Sequence, residues 1–213
     1  MILLSEKILK KVNLFMFFTI VRSAAAAQLF FLLSLPFIGN LIKYLHPLAL
    51  IVVWACITSF TITAGLLFRG EKLPLKKYLV QLGFALYSAS LLVLLFFRPG
   101  DNAYANYNLI PFRTIEFYLA GRVDFLVAFY NLAANIILFI PYGLFLILLM
   151  KKKSIFTLLV IPIVSISAIE ITQFLSRRGS LDIDDLILNL LGVFLGYAFS
   201  PLLQRVYVIK ESL

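Results

Sequence analysis

Six long apolar runs limit what this chain can become. They lie near residues 13–37, 46–68, 75–97, 125–149, 154–175 and 184–206, with short polar or charged segments between them. About 20 mainly apolar residues in a helix cross the hydrocarbon core of a bilayer, and each run is long enough. A helix also satisfies its own backbone hydrogen bonds, which lipid cannot do for it. Composition agrees: 62% of residues are hydrophobic and the mean hydropathy is +1.02, against roughly 45–50% apolar residues in a soluble domain. No linker rich in Pro, Gly or Ser separates the runs, so they read as one body. The expected fold is an all-α integral membrane protein, a bundle of about six transmembrane helices.

Charge sets the orientation. The net charge is +9, but the basic residues are scattered between apolar runs and form no stripe with interleaved aromatics, which argues against nucleic acid as a partner. With the N-terminus inside, the inner segments hold twelve Lys and Arg and the outer segments six. The positive-inside rule counts such bases near the spans, and it places both termini in the cytoplasm. Residues 98–124 and the stretch around Arg177–Asp185 then face outward.

Several chemistries lack the residues they need. The single cysteine, Cys56, lies in an apolar run, so no disulfide forms within the chain and no cysteine metal site exists. The single histidine, His46, precedes Pro47 and reads as an interfacial residue. Near the N-terminus, Lys7, Lys10 and Lys11 precede an apolar stretch and then Ser23-Ala24-Ala25-Ala26-Ala27-Gln28, a small-residue pattern like a signal-peptide cleavage site. The apolar run resumes from Leu29 to Ile38, so an uncleaved first helix is expected. Arg22 inside that helix is costly in lipid and is expected to snorkel or to meet Glu170.

The densest polar chemistry lies near the end of the chain. Asp182, Asp185, Asn189, Gly192 and Gly196 follow one another at steps of 3 or 4 and so share one helical stripe. Gly192-x-x-x-Gly196 lets a second helix approach closely, so the stripe is expected to face the bundle. Asp184 lies off the stripe and reads as a cap for its own helix start, where carboxylates meet free N–H groups. In the preceding helix Glu170 and Gln173 share a face, and in the one before it Asn131 and Asn135 do the same, all toward the outer end. One reading is a set of interhelical hydrogen bonds. The other is an outward-facing pocket built from Asn135, Glu170, Gln173, Arg178, Asp182, Asp185 and Asn189, closed by Arg178 and residues 98–124. Residues 109–120 suit a short interfacial helix. Pro141 and Gly143 are expected to interrupt or kink the fourth long helix.

Taken in order, Asn108-Leu109-Ile110-Pro111-Phe112, Asn131-x-x-x-Asn135, Phe139-Ile140-Pro141-x-Gly143, Glu170-x-x-Gln173, and Arg178 followed by Asp182-Ile183-Asp184-Asp185 and Asn189-x-x-Gly192-x-x-x-Gly196 resemble the VanZ-like family. The resemblance covers about residues 80–200. It divides the chain into an N-terminal extension, 1–74, with two transmembrane helices, and a VanZ-like domain, 75–207, with four. The family consists of small bacterial membrane proteins named after one that confers low-level teicoplanin resistance. The resemblance implies a multi-pass protein of the bacterial cell membrane that contributes to glycopeptide or lipoglycopeptide resistance. One departure stands out: where the pattern calls for arginine three residues before the first aspartate, this chain has Gly179, and Arg178 lies four residues before Asp182.

The leading expectation is a non-enzymatic protein, without a cofactor, whose outer pocket binds a membrane lipid or lipid-linked envelope precursor. One alternative is a membrane enzyme acting on an envelope lipid, with Glu170 and Asp185 as an acid/base pair or as oxygen ligands to a divalent cation. The other is a small-molecule transporter, suggested by Arg22 and the Pro141-x-Gly143 break.

Overall fold

The computed structural model describes residues 2–42, 48–97, 107–150 and 154–210. Among these, seven helices and four short strands follow in order: α1 (Ile2–Ile42), α2 (Leu48–Arg69), β1 (Leu73–Lys76), α3 (Lys77–Phe96), β2 (Tyr107–Asn108), α4 (Arg113–Leu119), α5 (Phe125–Leu149), α6 (Ile155–Leu175), β3 (Leu181–Asp182), α7 (Ile183–Val206) and β4 (Tyr207–Lys210). Six helices are long and apolar enough to cross a membrane, over Leu14–Pro36, Leu50–Arg69, Lys77–Phe96, Phe125–Leu149, Ile155–Leu175 and Ile183–Val206. Large apolar side chains such as Phe60, Phe68 and Leu33 stand exposed on them, as lipid-facing residues do.

The chain divides into two compact units, Met1–Leu79 with Pro201–Leu213, and Val80–Ser200. In the first, α1 packs on α2 through small residues. Ala27 and Leu66 are buried, and a Cβ at Gly65 would collide with the Ser23 hydroxyl. The alanine run thus lies within continuous helix at a packing seam. Gln28, polar within a span, is satisfied from α2: its amide oxygen accepts from Trp54 Nε1 at 2.5 Å and its Nε2 donates to Thr58 Oγ1 at 3.3 Å. β1 and β4 pair in parallel, Leu73 opposite Tyr207. Thr63 and Tyr207 share a hydroxyl hydrogen bond of 2.7 Å.

The second unit is built around Leu91 of α3, Phe139 of α5, Ile166 of α6 and Val193 of α7, one buried residue from each span. A third of the apolar window of α7 is buried (33%), against 17% for each of the other three, so α7 is the most enclosed of them. Its approach to α5 is close and reciprocal. A Cβ at Gly192 would meet the Ile136 carbonyl, one at Gly196 the Ile140 carbonyl, and one at Gly143 of α5 the Val193 carbonyl. Only glycine allows backbone to come this near backbone. Helix α5 continues through Pro141 from Phe125 to Leu149 without interruption, and Gly143 serves packing. Proline leaves the carbonyl four residues earlier unpaired. For Pro162 of α6 that carbonyl is Leu158, and it accepts from the Tyr197 hydroxyl of α7 at 3.1 Å. The Tyr87 hydroxyl likewise donates to the Leu138 carbonyl, next along from the one that Pro141 frees.

The parallel strand pairs are additions to the all-helical expectation. The second joins β2 to β3, Tyr107 opposite Leu181 and Asn108 opposite Asp182. Two to four residues are too few for period-two patterning to reveal a strand. Within 109–120, where a short helix is expected, α4 forms over Arg113–Leu119.

Candidate functional site

The polar residues of the second unit gather where α3, α6 and β2 end and where α4, α5 and α7 begin. Asp182 starts α7. Its Oδ1 accepts from the backbone N–H of Asp184 at 2.9 Å, the bond of an N-cap. The same oxygen accepts from Asn108 Nδ2 at 3.1 Å, and Oδ2 accepts from the Thr114 hydroxyl at 2.5 Å. Asn108 Nδ2 also donates to Thr114 Oγ1 at 3.1 Å, while its Oδ1 accepts from the Ile110 N–H at 3.3 Å and turns the chain toward Pro111.

Asp184 departs from its expected role. It caps a different helix, and no solvent reaches it. The residue before α4 is Phe112, in left-handed conformation (φ 68°) and without a capping side chain. The open N–H groups turn to Asp184 instead: Phe112 N donates to Oδ1 at 2.5 Å, and Thr114 N and Ile115 N donate to Oδ2 at 2.7 and 3.2 Å. Buried donors must be paired, and a carboxylate accepts several at once. A missing local cap at Phe112 is the sequence signal that points to such a distant acceptor. Its identity is set by the β2–β3 pairing.

Deeper in the unit, Asn135 Nδ2 of α5 donates to Asp185 Oδ1 of α7. One turn further along α7, Asn189 Nδ2 donates to Glu170 Oε1 of α6 at 3.1 Å. Both Glu170 and Asn189 are buried, and Asn189 Oδ1 has no hydrogen-bond partner among the described residues. Gln173 Nε2 donates to the Leu95 carbonyl at 3.0 Å, closing an open carbonyl at the end of α3. Glu170 thus meets α7 within its own unit.

Arg178 sits apart from these pairs. Helix α6 ends in a Schellman turn, with Arg177 left-handed (φ 57°), Arg177 N bonded to the Phe174 carbonyl and Arg178 N to that of Gln173. The Arg178 side chain is exposed, its guanidinium 5.6 Å from the centre of the Phe97 ring, within cation–π range. Asn131 donates to the Val127 carbonyl of its own helix at 2.8 Å. His46 and residues 98–106, part of the expected closure, lie outside the described residues.

A cavity of about 310 Å³ opens at this end, lined by Tyr107, Asn108, Arg113, Thr114 and Phe117. None of its walls belongs to the seven residues expected to form a pocket. Asp182 lies directly behind two of them, Asn108 and Thr114. Among the described residues, no group of three His, Cys, Asp or Glu is placed to hold a metal ion.

These features define a polytopic helical membrane protein. One half of it is a four-span unit joined by acid–amide pairs and carrying a carboxylate-tethered surface helix at one end. Residues 84–204 match the family model described as VanZ/LLP1, more than half of the chain, and the chain belongs to this VanZ-like family. No curated protein and no solved structure matches it.

Proposed function

We propose that this VanZ-like protein lies in the bacterial cell membrane with both termini inside and the α4 end outside, where it binds a lipid or lipid-linked envelope precursor and lowers susceptibility to teicoplanin and related glycopeptides. The observation that supports this reading most is the placement of Asp182 and Asp184, both buried, beneath a segment that presents apolar and cationic side chains where spans end. Buried acids near a bilayer are expensive, and these hold a surface in a fixed form. Asn135, Glu170, Gln173, Asp185 and Asn189 brace the spans behind it, and Arg178 stands at the same end of α6.

The test is drug susceptibility. Expressed in a teicoplanin-susceptible Gram-positive host, the wild-type chain is expected to raise the minimal inhibitory concentration by about twofold or more. Asp185→Ala and Glu170→Ala variants at equal membrane abundance are expected to return it to the level of the empty vector. Unchanged susceptibility with the wild-type chain, or full protection by both variants, would remove this reading.

A further inference from the structure

We propose that the cavity between β2 and α4 is a seat for the phosphate of a membrane lipid headgroup, with the Arg113 guanidinium as the anion contact. This rests on the proposed reading of the α4 end as a lipid-binding surface, and it names the chemical group that is bound.

The lining residues divide by what remains available to a ligand. Asn108 and Thr114 spend their polar groups on Asp182 and on each other. The first N–H groups of α4 are taken by Asp184, so the helix start offers nothing further. Both carboxylates therefore have their oxygens turned to internal donors. What remains is the Arg113 guanidinium, which no side chain holds among the described residues, together with the Tyr107 hydroxyl. Phe117 follows Arg113 by four residues, so ring and guanidinium lie on one face of α4 and line the cavity together. Arg113 is the one charged residue among those that line the cavity, and a planar fork of N–H donors suits a phosphate.

The surroundings select a lipid as the source. Seven residues of helix span roughly 10 Å, so α4 cannot cross a bilayer; it joins the end of one span to the start of the next. Around the cavity, Leu109, Ile110, Phe112 and Leu119 are all exposed. Apolar side chains beside an arginine, at the level where spans end, match the boundary between acyl chains and headgroups. A volume of about 310 Å³ suits one headgroup.

The experiment uses the full chain in a neutral detergent, with bound lipid counted by native mass spectrometry. The probes are dioleoylphosphatidylglycerol, dioleoylglycerol (the same chains without phosphate) and inorganic phosphate. The phospholipid is expected to bind at least about tenfold more tightly than dioleoylglycerol, since a charge-assisted contact distinguishes them. Arg113→Ala should remove most of that preference, Arg113→Lys should keep part of it, and Arg205→Ala, outside the cavity, should leave it intact. Arg113 is exposed, so its replacement is expected to fold; Phe117→Ala, expected to weaken binding by severalfold, tests the same wall independently. Equal binding of the two lipids, an unchanged preference in Arg113→Ala, or inorganic phosphate binding as tightly as the phospholipid would each overturn the proposal. Susceptibility is read separately. Lipid preference lost in Arg113→Ala with unchanged drug protection supports the seat and shows that protection does not depend on it, whereas a wild-type chain that binds the phospholipid but gives no protection counts against the resistance role alone.

Discussion

Phe112 has no side chain able to cap the helix that follows it, and three backbone N–H groups around it find Asp184 instead, 70 or so residues further along the chain. Removing that acceptor leaves several partly buried donors without a partner, and each such loss costs roughly 1–3 kcal/mol before relaxation. Asp184→Ala is therefore expected to destabilise the protein by about 2–4 kcal/mol, and Asp184→Asn, which keeps one acceptor oxygen, by about half as much. Thermal melting in detergent measures the loss. Tryptic cleavage after Arg113 locates it, because α4 without its tether should open first. A variant that melts like wild type and resists trypsin as well would mean that Asp184 is dispensable to this segment. Hydrophobic periodicity assigns Asp184 to its own helix start because periodicity sees only one helix at a time. The acceptor role needs the β2–β3 pairing, which brings residues 107–108 beside 181–182 and leaves no repeat in the sequence.

At the scale of elements, the spans were legible because hydropathy over some 20 residues is a strong signal that no tertiary detail reverses. The contact between α5 and α7 was half legible. Gly192-x-x-x-Gly196 announced one side of it, whereas Gly143 read as part of a proline break. Its true role, admitting the Val193 carbonyl, depends on which helix faces it. The same geometry makes the glycines unequal. A Cβ at Gly192 meets the Ile136 backbone, which cannot swing aside, so the helices must separate and lose contact along the seam. A Cβ at Gly83 of α3 meets only the Phe145 ring, at 3.5 Å, an ordinary contact. Gly192→Ala is expected to cost about 1–3 kcal/mol, and Gly83→Ala to be neutral or to stabilise by up to about 1 kcal/mol through helix propensity. Unfolding of both variants in graded detergent mixtures compares them directly. Equal midpoints would show that the seam tolerates a methyl group and that the close approach is not needed for stability.

For the molecule as a whole, the strand pairs bear on topology independently of charge. β1 follows α2, β4 follows α7, and the two strands pair, so these helices end on one side. β2 follows α3, β3 follows α6, and their pairing places those ends together likewise. Each pair, taken within its own unit, joins strands that follow spans of the same direction in an alternating series. The proposed orientation comes from charge: with the N-terminus inside, the inner segments hold twelve Lys and Arg and the outer segments six. This orientation can be read from single cysteines introduced after Cys56→Ser. Glu116→Cys lies on α4 and Val208→Cys on β4, and both positions are exposed. A membrane-impermeant maleimide applied to whole cells is expected to label position 116 at once and position 208 only after permeabilisation. The reverse pattern would keep the bundle and its strand pairs but turn the α4 surface toward the cytoplasm, where it would not meet an extracellular antibiotic, and the resistance role would fall with it.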